Sequence, residues 1–259
     1  MRARLEIRAL REALITPGSP FGEPVVLDEV DSTNLEVRRR MVPWQPVLAE
    51  LQTGGRGRLG RSWEEVPRAG LAMSVLVPAP ATPEWMPLIA GMAVARAVTS
   101  VAGLEADLKW PNDVLLPADG DRKTCGILCE LAEGQVVVGI GINVDHTREE
   151  LPVDTATSLA LAGATAAATL RETVAAACLL ELARLHTALG DPTTAKGVRD
   201  TYRRLCGTVG RDVDLHQPGG RVERVRVTGI DDGGRLLVRG ENGSATVAAG
   251  DVVHVRRIG

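Results

Sequence analysis

Aromatic side chains are few: four tryptophans, one tyrosine and one phenylalanine in 259 residues. Any core must therefore be built from Ala, Val, Leu and Ile, and held by close backbone packing rather than ring stacking. Lysine is scarcer still. Of 30 basic residues only Lys109, Lys123 and Lys196 are lysines, and an ammonium is a compact point charge that fits where a planar guanidinium does not. Each lysine is thus an exception with a reason to be sought. Cysteine is limited to Cys125, Cys129, Cys178 and Cys206. The first two fall on one expected strand, where four residues at ~3.3 Å rise set them about 13 Å apart, too far for a disulfide. The other two have no partner at metal-ligand spacing, and His146, His186, His216 and His254 are scattered, so no metal site is assigned. No uninterrupted apolar run reaches the length of a membrane span, and the N-terminus carries Arg2, Arg4, Glu6, Arg8, Arg11 and Glu12 in place of a signal-peptide core. No membrane contact is expected, and a cytoplasmic location is the default. A net charge of -3 removes the argument for nucleic-acid binding driven by bulk electrostatics.

What is present is an ordinary globular composition, 44% hydrophobic and 24% charged, long enough for one large domain and a small appendage. The most unusual stretch runs from Gln52 to Trp63. It contains Gly54, Gly55, Gly57 and Gly60 with Arg56, Arg58 and Arg61. Glycine lets backbone N–H groups approach a ligand, and guanidinium forks match phosphate or carboxylate oxygens. Alone, such a run reads equally as a solvated linker; here Val47–Glu50 leads into it as a strand and Gly70–Val77 leaves it as a buried strand.

Before this loop, residues 4–15 carry helical spacing and Val25–Leu27 reads as a strand. Asp31-Ser32-Thr33-Asn34 then opens a helix, either as caps or as hydroxyl and amide groups for a polar ligand. After it, Pro83 opens a helix to about Ala102, expected to be the central buried one. Pro111 interrupts strand residues within Asp107–Leu116, which must break there and expose Lys109, Asn112 and Asp113. Lys123–Leu131 and Gln135–Val144 form a hairpin. Gly126, Gly139 and Gly141 inside it require a close approach to the sheet, by tight packing or by a flat ligand; Asn143 could read a base or a phosphate ester there. Residues 147–168 read as loop, Glu172–Leu189 and 193–206 as helices. Five short strands follow (212–216, 221–230, 235–238, 244–247, 252–255), implying a small closed or nearly closed barrel.

The order and spacing of Ser32-Thr33-Asn34, the Gly/Arg loop with Trp63, Lys109-Trp110-Pro111-Asn112-Asp113 and Gly139-Ile140-Gly141-Ile142-Asn143-Val144 closely resemble the biotin–protein ligases. The likeness runs from about residue 25 to the end. It implies an α+β fold, a mixed, mainly antiparallel sheet packed with helices in the manner of class II synthetases, plus a small SH3-like C-terminal barrel. The expected division is 1–24 as a helical extension, 25–206 as the catalytic domain and 207–259 as the barrel. The resemblance implies that biotin and Mg-ATP, with Mg2+ as the metal cofactor, give biotinyl-5′-AMP, whose biotinyl group passes to a lysine of a biotin carboxyl carrier protein. It also implies roles. Ser32, Thr33 and Gln52 would hold the ureido end of biotin, with Asn34, Gly55, Gly126, Gly139 and Gly141 around it. Arg56, Gly57 and Arg58 would close over the acyl phosphate, and Lys109 would contact the carboxylate and mixed anhydride. Arg58, Arg61, Trp63, Asn112, Lys123 and Asn143 would serve the nucleotide, with Trp63 flanking adenine and Lys123 facing the phosphates. Lys109, Arg56 and Lys123 are the catalytic set. Leu51, Gly54 and Cys125 depart from the family's usual residues, which bears on affinity. The short stretch ahead of residue 25 is too small for the winged helix of ligases that double as repressors, so no operator DNA binding is expected, and the chain should be a monomer or homodimer. Two alternatives stand beside this reading: a lipoate or octanoate ligase or transferase of the same fold, and a non-catalytic biotin sensor.

Overall fold

A computed structural model describes residues 2–165, 169–216, 220, 222–241, 243–248 and 251–254. Part of the Ala/Gly/Thr-rich stretch, Pro218-Gly219, and the strand-end residues Arg221 and Val255 lie outside the described residues. In chain order the α-helices are α1 Ile7–Leu14, α2 Thr33–Arg40, α3 Met86–Ala97, α4 Leu170–Gly190 and α5 Ala195–Leu205. The strands are β1 Val25–Leu27, β2 Val47–Ala49, β3 Gly70–Pro78, β4 Asp107–Lys109, β5 Asp113–Leu116, β6 Arg122–Ala132, β7 Gln135–Asn143, β8 Asp212–His216, β9 Val222–Ile230, β10 Leu236–Gly240, β11 Gly243–Val247 and β12 Asp251–His254.

Strands β1 to β7 form one sheet in the order β1-β2-β3-β7-β6-β5-β4. Only β1 and β2 run parallel; the other neighbours are antiparallel. The two-residue period of a strand divides its side chains between two faces. Leu71, Met73, Val75 and Val77 of β3, Val136, Val138, Ile140 and Ile142 of β7, and Cys125 and Ile127 of β6 join the core with α3 and α4. Their alternates face away from those helices. These are Ser74, Gly126, Leu128, Glu130, Gly139 and Gly141, and they form the floor of the site described below.

The expected helix from Pro83 is three pieces: a 3-10 turn over Pro83–Trp85, α3, and a wider π-type turn over Val98–Ala102 closed by Gly103 at φ 68°. Helix α3 is buried nearly all round. The whole helical segment Pro83–Ala102 and α4 are long and apolar enough to cross a membrane by length and composition, yet they pack on each other and on the sheet, as core helices of that length do. The N-terminal extension packs rather than frays: Leu5, Leu10 and Leu14 are buried in the main core.

The second sheet is antiparallel, in the order β11-β10-β9-β8-β12. Among the described residues β11 and β12 are its edges, so the sheet is the nearly closed form of the expected small SH3-like barrel. Two tryptophans tie this sheet to the first: Trp85 Nε1 donates to Asp232 O at 2.7 Å and Trp110 Nε1 to Gly234 O at 3.0 Å. With so few aromatics in the chain, half its indoles serve this junction.

Candidate active site

Register explains the three strand glycines. Gly139 lies opposite Ser74 on one side and Leu128 on the other, and Gly141 lies opposite Ala72 and Gly126. A Cβ on Gly139 would collide with the Asn34 amide; one on Gly126 would stand 2.9 Å from Trp63 Cζ3, and one on Gly141 2.5 Å from Trp63 Cε2. The close approach expected of a flat ligand is therefore made here by the protein's own indole and amide lying on the sheet. Gly141→Ala leaves Trp63 no room on that shelf and should displace the indole with the fold retained. Tryptophan fluorescence checks this, and an unchanged emission spectrum would contradict the close packing of Trp63 on the shelf.

The Gly/Arg loop folds back on itself as a small hairpin. Trp63 N–H donates to Gly55 O at 2.9 Å, Gly57 N–H to Arg61 O at 2.7 Å, and Arg56 bridges Ser62. At its tip Leu59 and Gly60 take φ 56° and 76°, and Leu59 projects into solvent. Arg56 pairs with Glu130 of β6 at 2.9 Å and Arg58 donates to Asn112 Oδ1 at 3.1 Å. The loop is thus fastened across the open face of the sheet.

Strand β4 ends at Lys109 and β5 begins at Asp113, so the break forced by Pro111 is a tight hairpin with those two residues paired across it. Asp113 receives both rare lysines: Lys123 Nζ lies 2.6 Å from one carboxylate oxygen and Lys109 Nζ 3.5 Å from the other. Lys123 also stands 5.8 Å from the centroid of Trp63. Asn112 spends its amide nitrogen on Ile127 O at 2.9 Å, which fastens the hairpin to β6.

Ser32 precedes α2 in extended conformation and makes no side-chain cap bond; its backbone N–H is held by Asp31 at 2.7 Å. The capping explanation of this polar cluster therefore fails for Ser32, whose buried hydroxyl lines a cavity. Thr33 donates to Gln52 Oε1 from its backbone at 2.8 Å and from its hydroxyl at 3.0 Å. Glu65 holds Gln52 and Trp63 from behind (Gln52 N–H at 2.9 Å, Trp63 Nε1 at 3.1 Å), and burial pushes its carboxyl up to about 7 against the opposing effect of those donors.

One cavity of about 230 Å³ gathers Ser32, Thr33, Asn34, Gln52, Arg56, Gly57, Arg58, Arg61, Trp63, Lys109, Asn112, Lys123, Gly126, Gly139 and Gly141. Five lining Arg and Lys side chains face a single carboxylate, Asp113, so the cavity suits a ligand that is anionic over part of its length. Gly55 is not in the lining; it is buried under the Trp63 carbonyl, which a Cβ would strike. Asn143 is also apart: buried, it donates to Thr157 O at 3.0 Å and borders a larger neighbouring cavity of about 1500 Å³ that shares Arg61, Trp63, Lys109, Asp113 and Lys123. Sequence reasoning did not place Ser74, Glu65, Asp113 and Glu130 in the site. Only Asp113, inside the Lys-Trp-Pro-Asn-Asp motif, carried a local signal.

Comparison with known proteins agrees with this geometry. Residues 30–146 match the Biotin/lipoate A/B protein ligase family and residues 208–255 match the Biotin protein ligase C terminal domain. The chain is 38% identical over 270 residues to the biotin--[acetyl-CoA-carboxylase] ligase of Mycobacterium tuberculosis, covering 99% of this chain and 98% of that protein. Among solved structures, the biotin protein ligase from Aquifex aeolicus in complex with biotin and ATP superposes with a TM-score of 0.76 at 27% identity, over 91% of this chain and 100% of that one. The biotin protein ligase from Leishmania major in complex with biotinyl-5-AMP gives 0.63 at 25% identity, over 92% and 99%.

Proposed function

Because the chain belongs to the biotin protein ligase family, an ATP-dependent ligase that activates biotin as biotinyl-5′-AMP, we propose a division of labour within the cavity and a biotin carboxyl carrier domain as acceptor. The observation that carries the proposal is the convergence of the Thr33–Gln52 hydrogen bonds, the Gly/Arg loop and the Lys109–Asp113–Lys123 cluster on one cavity.

Activation brings a carboxylate against an α-phosphate, so anions must be held together while charge develops on the phosphoryl oxygens. Lys109 contacts the biotin carboxylate and the mixed anhydride, and Lys123 faces the phosphates. Asp113 sets both ammoniums in position before substrate arrives. Ser32, Thr33 and Gln52 address the ureido ring. Arg56, Gly57 and Arg58 close over the acyl phosphate and keep water from the anhydride, while Trp63, flat on Gly126 and Gly141, gives the adenine a face to stack on. Arg61 and Asn112 complete the nucleotide side. Asn143 acts on the nucleotide through the neighbouring cavity, by its carbonyl oxygen or by the second N–H of the amide that donates to Thr157 O. Among the described residues no cluster of three metal-binding side chains exists. A magnesium ion arriving with ATP would add positive charge at the phosphates, beside Lys109 and Lys123. No side chain need form a covalent intermediate.

Biotin-dependent ATP–pyrophosphate exchange, run beside lipoate, tests this reading: exchange with biotin is expected, and exchange with lipoate alone would reject it. The loop gives a second prediction. Its arginines should be cut by trypsin less readily when biotin and ATP are present, by roughly tenfold in rate, since a glycine-rich segment ordered by ligand loses its exposed conformers. Equal cleavage with and without ligands would contradict closure.

A further inference from the structure

The orientations of the Gln52 and Asn34 amides can be read from the chemistry of their partners. Glu65 accepts from Gln52 Nε2 at 3.1 Å, from the Gln52 backbone N–H at 2.9 Å and from Trp63 Nε1 at 3.1 Å. An ionised carboxyl only accepts. Gln52 must therefore turn its NH2 to Glu65 and its oxygen to Thr33, which donates to it from backbone and hydroxyl. Thr33 Oγ1 also lies 2.7 Å from Ser74 Oγ; two hydroxyl protons serve the three contacts to Gln52, Ser74 and Asn34, so it is the Thr33 backbone N–H that fixes the Gln52 oxygen. Ser74 Oγ is also 2.7 Å from Asn34 Oδ1. Asn34 Nδ2 donates to Glu130 Oε2 at 2.8 Å, a second carboxylate, so Asn34 in turn must present its oxygen to Ser74. The chain Glu65–Gln52–Thr33–Ser74–Asn34–Glu130 thus has a carboxylate at each end, and its members span two strands, a helix and the root of the loop.

Each end also grips the Gly/Arg loop. Glu65 holds the Trp63 indole, and Glu130 holds the Arg56 guanidinium at 2.9 Å. We propose that Glu65 and Glu130 are positioning residues of the ligase: they lock the amides of Gln52 and Asn34 into one orientation, fix which donors and acceptors the pocket offers a ureido group, and tie the closing loop to that pocket. What is left for the ligand is the Ser32 hydroxyl and the second N–H of Gln52 Nε2, a pattern that a flipped Gln52 would invert. The inference rests on the assignment of Ser32, Thr33 and Gln52 to the biotin end.

A glutamine at either carboxylate can both donate and accept, so it keeps the shape and releases the orientation. In exchange assays at about pH 8, above the value of about 7 to which burial pushes Glu65, Glu65→Gln and Glu130→Gln should each raise the biotin KM roughly tenfold, with melting temperatures held. Thr33 does not touch Glu65, so a cycle of Glu65→Gln with Thr33→Val separates orientation from general structural damage. The double variant's biotin KM should fall well short of the product of the single effects. Should one glutamine variant fail to fold, the other carries the same test from the opposite end. An unchanged biotin KM in a folded variant, or strictly multiplicative effects in the cycle, would overturn the proposal. Absence of biotin-dependent exchange in the unaltered protein would instead overturn the reading it rests on.

Discussion

Lys109→Ala is expected to slow biotinyl-adenylate formation roughly a hundredfold, the loss typical of removing one fixed donor from developing negative charge. The fold should tolerate the change. Lys109 sits at the end of β4, about a fifth exposed, and pairs with Asp113 at 3.5 Å. Asp113 keeps its shorter contact to Lys123 when Lys109 is removed, so no buried carboxylate is left unpaired. The deficit should therefore appear in the first-order rate of adenylate formation at saturating biotin and ATP rather than in the melting temperature. Lys109→Arg should recover little of it, because a planar fork cannot occupy the compact ammonium position between the hairpin turn and Asp113. Near-normal exchange by either variant would reject the assignment. The composition bears on this: a chain that uses arginine for almost every positive charge has kept two of its three lysines on one aspartate.

The second large effect is on stability and lies behind the site. Arg171, at the start of α4, donates to Glu50 Oε2 at 2.7 Å, with side-chain exposures of 10% and 5%. The same guanidinium reaches Ala3 O at 2.6 Å, and the other oxygen of Glu50 accepts the Leu5 N–H at 2.5 Å. Four separated segments meet there, the N-terminal arm, the end of β2, the start of β3 and the first turn of α4. Arg171→Ala strands a buried carboxylate, which costs about 3–5 kcal/mol where one partner of a buried pair is removed. For a chain of this size that corresponds to a melting temperature lower by roughly ten degrees. Arg171→Ala with Glu50→Gln removes the stranded charge and should recover much of the loss; no recovery in the double variant would show that the cost is packing and not charge. Glu50 stands two residues before Gln52, so the single variant should also raise the biotin KM, by loosening the root of the loop.

Much of this site was legible before any coordinates. The Lys-Trp-Pro-Asn-Asp break, the Gly/Arg loop between two core strands and the glycine-interrupted hairpin each follow from local rules: proline cannot donate to a ladder, and glycine inside a strand marks close approach. The buried helix was equally readable from the apolar run after Pro83, while the mainly antiparallel sheet came with the resemblance to the biotin–protein ligases. What fills the shelf was not. Gly126, Gly139 and Gly141 announce that something lies against the sheet, but the identity of the nearest groups, Trp63 and Asn34, depends on a loop folding back across strands far away in sequence. Glu65 and Glu130 carried no local signal for the same reason: a carboxylate in a strand or loop looks alike whether it meets water or the amide of a distant residue. The Arg171–Glu50 pair spans 121 positions and left no periodic trace. The five short strands made the small C-terminal barrel readable, while which of its edges pair is a tertiary matter.

The central claim is that this cavity makes biotinyl-5′-AMP and delivers its acyl group to a carrier lysine. Mass spectrometry of a biotin carboxyl carrier domain, incubated with the protein, biotin and ATP, tests it most directly. The account predicts a single biotinyl group on one lysine, dependent on ATP and largely lost with Lys109→Ala. An unmodified carrier in the presence of the unaltered protein, or equal labelling by Lys109→Ala, would contradict it.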